Sequence, residues 1–296
     1  MIKWLSGLLL FLIVGAAQAT VSIVATTSAM GMLSNTVGGD AVSVRVLAPP
    51  DRDAHYLSAR PSHMAALRGA DLVVAVGAEL EIGWLPAALQ GAANPSLNPG
   101  QPGYFEAAAH VELIGVGGPA DRALGDVHPS GNPHVNMDPI RMAQAGRALA
   151  ERLARLDPAN ADRFRANAES FVRQVESRMP AWEARVQGAP GVVFYHEDAD
   201  YLAFRLNVPI LGFVEPLPGI PPTARHLRDL VRDLEGRQGV VIRAIHHEER
   251  GARFVADQLG WPLYALPLDP PLGANADDYL NLIDQWVSAM AGTLSQ

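Results

Sequence analysis

The 296-residue chain contains no cysteine. This one absence excludes disulfides, thiolate metal sites, cysteine nucleophiles and a lipid anchor on an N-terminal cysteine. Basic residues are also in short supply. Twenty-three Lys and Arg against 31 Asp and Glu give a formal charge of -8, the reverse of the footprint a nucleic-acid binder needs. No nucleic acid is expected among its partners. Beyond the first 19 residues there is no apolar run long enough for a membrane span, so a polytopic membrane protein is excluded. The apolar fraction of 49% against 18% charged excludes a disordered chain. The length is that of about two domains. Without thiolates, a soft metal would have to be held by imidazole and carboxylate, which turns attention to the nine histidines.

Residues 1–19 read MIKWLSGLLLFLIVGAAQA. Lys3 makes a positive start, residues 8–14 an apolar centre and Ala17-Gln18-Ala19 a small-x-small cleavage site. The run is short for a bilayer span, so we expect a signal peptide cleaved after Ala19, with no lipid attachment and delivery to a bacterial periplasm.

From Thr20 onward, short apolar strand-like runs alternate with helical ones. Residues 21–26, 42–47, 72–76 and 111–116 read as strands of a first unit, and 192–195, 210–214, 240–245 and 263–266 as strands of a second. Continuous apolar runs such as LVVAV at 72–76 suit buried parallel strands. Residues 117–133 are rich in Gly and Pro and read as a loop. Asp138-Pro139 fits a helix start, with Pro at the first helical position. Over residues 160–187, Phe164, Ala168, Phe171, Val175, Met179, Trp182 and Val186 recur at steps of three and four, one face of a helix. Such a helix spans about 42 Å, and Pro180 is expected to kink it. The expected fold is α/β, with an N-terminal β/α lobe at 20–157, a connecting helix at 158–187 and a C-terminal β/α lobe at 188–296.

Four residues with metal-binding chemistry occupy comparable places in this pattern. His55 follows the strand at 42–47, His134 the strand at 111–116 and its loop, His196 the strand at 192–195, and Asp269 the strand at 263–266. In open α/β sheets ligands bind beyond the carboxyl ends of strands, so two residues from each lobe would meet in a cleft. Three imidazoles and a carboxylate suit Zn²⁺. The spacings by themselves carry no signature, and polar loop residues remain an equal reading of the pattern.

At these residues the sequence resembles the zinc- and manganese-binding solute receptors of bacterial ABC transporters, the ZnuA- and TroA-like group. Asp53-Ala-His55-Tyr-Leu-Ser-Ala-Arg-Pro61-Ser62 resembles the segment D-P-H-x-Y-x-P-x-P-S of that family, and Gly131-Asn-Pro-His134-Val-Asn-Met-Asp138-Pro139 resembles D-P-H-x-W-x-D-P. Tyr195-His196, Leu268-Asp269-Pro270 and Gly77-Ala-Glu-Leu-Glu81-Ile-Gly-Trp84-Leu85 fall in the family order. The resemblance implies a metal site in the cleft held by His55, His134, His196 and Asp269. It also implies an inner-membrane ABC permease as partner, a monomeric receptor, and a periplasmic zinc chaperone as a further candidate partner. Asn132, Asn136, Ala54 and His63 depart from the family pattern without removing a ligand. The string around His128 looks closest to an AztC-like zinc subgroup. In relatives that look manganese-specific a carboxylate usually occupies the place of His196, and a third imidazole favours Zn²⁺.

His128 and His63 stand as auxiliary candidates, His128 for capturing or handing over zinc from the loop. His246-His247-Glu248-Glu249 resembles a metal cluster but reads better as a strand end followed by an acidic helix start. His110 and His226 read as surface residues, and Trp84, Trp182 and Trp261 as packing. The expectation is a zinc receptor delivering Zn²⁺ to an ABC importer and catalysing nothing, since four protein ligands leave no open position for water. A manganese or broad-metal receptor and an exported zinc hydrolase are the alternatives. The hydrolase lacks an H-E-x-x-H helix.

Overall fold

The computed structural model describes residues 20–118, 125 and 127–294; the signal-peptide reading of 1–19 and most of the loop before His128 lie outside them. The chain forms two four-stranded parallel sheets. The first contains β1 (Val21–Ala25), β2 (Val42–Val46), β3 (Leu72–Ala75) and β4 (Tyr104–Glu106) in the order β2-β1-β3-β4. The second contains β5 (Val192–Phe194), β6 (Ile210–Phe213), β7 (Val240–Ala244) and β8 (Leu263–Leu266) in the order β6-β5-β7-β8. The two lobes therefore share one strand order, each with its first strand inside the sheet. β3, β5 and most of β7 are buried, which is why they read as continuous apolar runs.

Helices α1 (Ser28–Gly38), α2 (Pro61–Arg68) and α3 (Leu85–Ala92) belong to the first lobe. Thr27 caps α1, its side chain accepting from the Met30 N–H. α4 (Pro139–Leu156) starts as expected at Asp138, whose carboxylate accepts from the Ile140 and Arg141 N–H groups. α5 (Ala161–Arg185) is the long helix, and it continues through Pro180 rather than ending there. In the second lobe lie α6 (Asp200–Arg205), α7 (Ala224–Leu234), α8 (Glu249–Leu259) and α9 (Ala276–Met290). Asn275 closes a capping box with Asp278 at the start of α9.

One expected strand is absent. Residues 111–116 run as irregular chain, and β4 takes the edge place beside β3. Gly115 at φ +70° and Gly117 at φ +85° leave the extended region, so no strand can continue there. β4 has three residues and α3 eight, too short for a clear period.

α5 ties the lobes together. Its Asn167 side chain donates to the Val37 carbonyl at the end of α1, and Trp182 Nε1 donates to Asp284 of α9 at 3.1 Å. Phe164, Phe171, Val175 and Trp182 join a core cluster that runs without a break from β1 to α9. A continuous core resists hinge opening, because separating the lobes would expose apolar surface. Trp182 is wholly buried. Trp182→Ala is expected to lower unfolding free energy by about 3–5 kcal/mol, read by urea denaturation; a loss under 1 kcal/mol would show that α5 is not part of the common core.

Candidate metal centre

The ends of all four strands in the second sheet converge on the cleft. His196 follows β5, Glu215 follows β6, His246 and His247 follow β7, and Asp269 follows β8. This is the carboxyl edge where open sheets bind ligands. The first lobe supplies His55 from a 3₁₀ turn after β2. His134 arrives differently from the sequence expectation. It follows no strand but stands at the start of a 3₁₀ turn over Val135–Met137, where the Asn132 side chain accepts from its backbone N–H at 2.8 Å.

The fold brings His55, His134 and His196 together, with one ligand nitrogen from each within 4.8 Å of the others. His55 Nδ1 sits 2.7 Å from Asp53 Oδ1, and His196 Nδ1 sits 2.9 Å from Glu215 Oε2. A carboxylate on Nδ1 fixes the ring and leaves the Nε2 lone pair for a cation. His134 Nε2 is buried with no hydrogen-bond partner among the described residues. Three imidazoles, two fixed by carboxylates and the third with an orphaned nitrogen, are a donor set that fits a borderline divalent cation. His55 and His134, with Asn136 and Asp198, line a space of about 20 Å³, room for one ion and too small for an organic solute, and His196 lies within ligand reach of both rings.

Asp269 lines the same space, although its carboxylate is not among the donors within 4.8 Å of one another. Its Oδ1 accepts from the Ala29 N–H at 2.9 Å, in the first turn of α1. Burial pushes its carboxyl up to about 6 against that hydrogen bond. His128 reaches in from the loop, its Nε2 3.1 Å from His55 Nε2. His63 does not join. It is buried at the start of α2 with its ring 5.8 Å from Trp84, which donates to the Ala54 carbonyl and so holds the His55 turn.

The charges around the three rings differ. Burial pulls His134 well below the ordinary imidazole value, reinforced by the neighbouring rings. Burial pulls His196 down as well, but the Glu215 hydrogen bond and the charges of Asp198, Glu215 and Asp53 carry it to about 9. Burial also raises Asp53, yet its bonds and charge interaction with His55 hold it well below the usual carboxylate range.

Two departures from the family pattern now have a physical role. Asn132 Nδ2 donates to the Glu197 carbonyl at 2.9 Å, beside His196, and Asn136 Nδ2 donates to the Leu268 carbonyl at 3.1 Å, beside Asp269. Each amide joins the first lobe's ligand segment to one in the second. A carboxylate at position 132 has no N–H to donate, so the bond to the Glu197 carbonyl depends on the amide. Tyr201 and Tyr279 reinforce the two links by donating to the carbonyls of Asn132 and Asn136. Asn132→Asp keeps the acceptor for His134 but removes the donor and sets a negative charge against a carbonyl. It is expected to weaken metal binding about tenfold, measured by chelator competition; unchanged affinity would show that the clasp does not position His196.

Glu81, in the Gly77–Leu85 segment, is a second residue whose position in the fold explains it. Its buried carboxylate accepts from Thr26 Oγ1 at 2.6 Å and from the Val76 and Gly77 N–H groups. It buckles the loop after β3 and is no ligand. Sequence reasoning gave too little weight to His246 and His247, which with Asp53 make a second group of possible ligands.

Fold and site together define a two-lobed α/β protein with a candidate metal site between its parallel-sheet lobes. The chain belongs to the family of the zinc-uptake complex component A, periplasmic, which it matches over residues 23–293. It is thus a metal-binding substrate-binding protein of ABC transport, and not an enzyme. It is similar to the high-affinity zinc uptake system protein ZnuA of Yersinia pestis, 27% identical over 286 residues that cover 90% of this chain and 89% of the relative. The iron-binding protein YfeA of Yersinia pestis is 24% identical, with 93% of this chain and 86% of that one covered. A crystal structure of ZnuA superposes with a TM-score of 0.77 at 21% identity, covering 93% of this chain and all of the other.

Proposed function

We propose that this protein is a periplasmic zinc receptor that hands Zn²⁺ to an inner-membrane ABC permease. The observation that carries the reading is the meeting of three imidazoles, two of them oriented by carboxylates, beside a single-ion space that His55 and His134 line. Imidazole suits zinc, whereas a manganese site is richer in hard oxygen donors. The family relative named for zinc supports the assignment.

His55, His134 and His196 would hold the ion through one ring nitrogen each, and Asp269 would complete a closed tetrahedral shell. A carboxylate in that place leaves a site charge of one rather than two in a buried setting, which favours Asp269 over His128 as the fourth donor. His128 beside His55 is then placed to meet the ion during loading or release. The unbroken core through α5 supports transfer by small local movement rather than wide lobe opening.

The experiment is a competition titration of metal-free protein against chelators with Zn²⁺ and, separately, Mn²⁺. One tight zinc equivalent and Mn²⁺ binding at least about a hundredfold weaker is the expected result. Equal retention of both would replace the zinc reading with that of a broad-metal receptor. Asp269→Asn is expected to weaken zinc without removing it, and unchanged affinity would exclude that carboxylate from the shell.

A further inference from the structure

We propose that Asp53, His246 and His247 form a second divalent-cation site at the mouth of the cleft, taking a borderline ion such as Zn²⁺. One ligand atom from each of the three lies within 4.8 Å of the others. Asp53 comes from the first lobe and the two histidines from the loop after β7 in the second. The site therefore crosses the cleft, as the three-histidine site does, but it shares no ligand with it.

The second observation is the state of the two imidazoles. The His247 side chain is 10% exposed, and its Nδ1 has no hydrogen-bond partner among the described residues. His246 Nδ1 is likewise buried and unpartnered there. A buried polar atom without a hydrogen bond is costly, so two in adjacent residues grouped with the Asp53 carboxylate call for a compensating group. A cation supplies one to both lone pairs at once. Asp198 Oδ2, 3.5 Å from His247 Nδ1, adds negative potential at that nitrogen.

The loop is held ready for this. Arg243 Nη1 donates to the carbonyls of Ala244, Ile245 and His247, at 2.8 Å for the last. Tyr195 stacks on the His247 ring at 4.5 Å and 18°. On the opposite side, Asp53 accepts from the His55 backbone and ring through Oδ1 in both of its bonds. Neither of these bonds uses Oδ2.

The position gives the site a use. Asp53 and His246 line the 20 Å³ space with His55 and His134 and also a cavity of about 510 Å³ on its other side. An ion held by them lies between solvent and the inner site. Because Asp53 also orients His55, the two sites share a wall. The existence of the outer site does not depend on zinc being the cargo of the inner one; its entry-side role does.

Calorimetric titration of metal-free protein with Zn²⁺ tests this. Wild type is expected to bind two equivalents, the second at least about tenfold weaker than the first. His246→Asn/His247→Asn is expected to abolish the second and leave the first within about threefold. His134→Ala is expected to weaken the first and keep the second, so failure of the inner-site reading and failure of this one give different isotherms. His246→Asn alone leaves the buried His247 ring in place and guards against a folding defect; it is expected to weaken the second equivalent about tenfold. Saturation of wild type at one equivalent would overturn the proposal. So would a second equivalent that survives in the double variant, or loss of both equivalents from a double variant that melts like wild type.

Discussion

His134→Ala is expected to lower zinc affinity by about two orders of magnitude while the protein remains folded. Structural zinc sites gather about 10–16 kcal/mol from four ligands. One ligand in four is worth roughly 3 kcal/mol, which is about a hundredfold in dissociation constant. His134 is the cleanest of the three to remove. Burial keeps it neutral, so no proton competes with the metal at that ring. Its Nε2 has no hydrogen-bond partner among the described residues, so alanine breaks no bond there. His55→Ala and His196→Ala would cost a similar amount but would also strip Asp53 and Glu215 of their imidazole partners. Chelator competition on the folded variant is the measurement. An affinity within threefold of wild type would remove His134 from the shell.

The second large effect is on pH dependence. Zinc affinity is expected to rise about tenfold per pH unit between pH 6 and pH 9, then level off. The imidazole numbers of free histidine alone would set the onset near 6.5. In the fold, the Glu215 bond and the carboxylates nearby carry His196 to about 9 despite its burial. The sign follows from the raised value. Below about 9 the metal-free ring carries a proton that must leave before the ring can bind, so falling pH weakens binding by one proton per ion. Asp269, pushed up to about 6 by burial, adds a second proton below that pH if it is a ligand, and the slope steepens. Glu215→Gln is expected to move the plateau to lower pH, because the carboxylate bonded to His196 is gone and only the charges of Asp198 and Asp53 still favour the proton. Competition titrations at pH 6, 7, 8 and 9 provide the check. A flat profile over that range would mean that His196 does not contribute.

The same carboxylates therefore have opposite effects in the two states. Glu215 fixes the His196 ring for the metal, yet in the metal-free protein it stabilises the competing proton. A receptor of this kind binds most tightly where protons are scarce and gives up its ion more readily as pH falls. This is linkage, and it needs no movement of the lobes.

Much of the fold was legible along the chain. The continuous apolar runs of β3, β5 and β7 mark strands buried on both faces, and the three- and four-residue steps from Phe164 to Trp182 mark one face of α5. Asp138-Pro139 marks a helix start, because the side-chain cap and the missing Pro N–H are both local chemistry. Where the reading failed, local signals were weak or misleading. Residues 111–116 are apolar enough for a strand, but Gly115 and Gly117 turn the chain away. Tyr104–Glu106 is too short to show a period, and it pairs because β3 offers an edge.

For the site, the sequence by itself determined which side chains were available. With no thiolate in the chain, any soft cation had to fall to histidine and carboxylate, and the resemblance of the segments around His55, His134 and His196 to the family's motifs, rather than their strand positions, singled these residues out. Only the tertiary structure decided which of these atoms share a space. Parallel sheets bring residues from distant strand ends to one edge, so Glu215, His246 and His247 become neighbours of His196 although no spacing announces it. Orientation was decided there too. Whether a histidine nitrogen faces a carboxylate, a carbonyl or nothing depends on contacts across the cleft, such as those of Asp53 and Asn132, and a linear pattern carries no record of them.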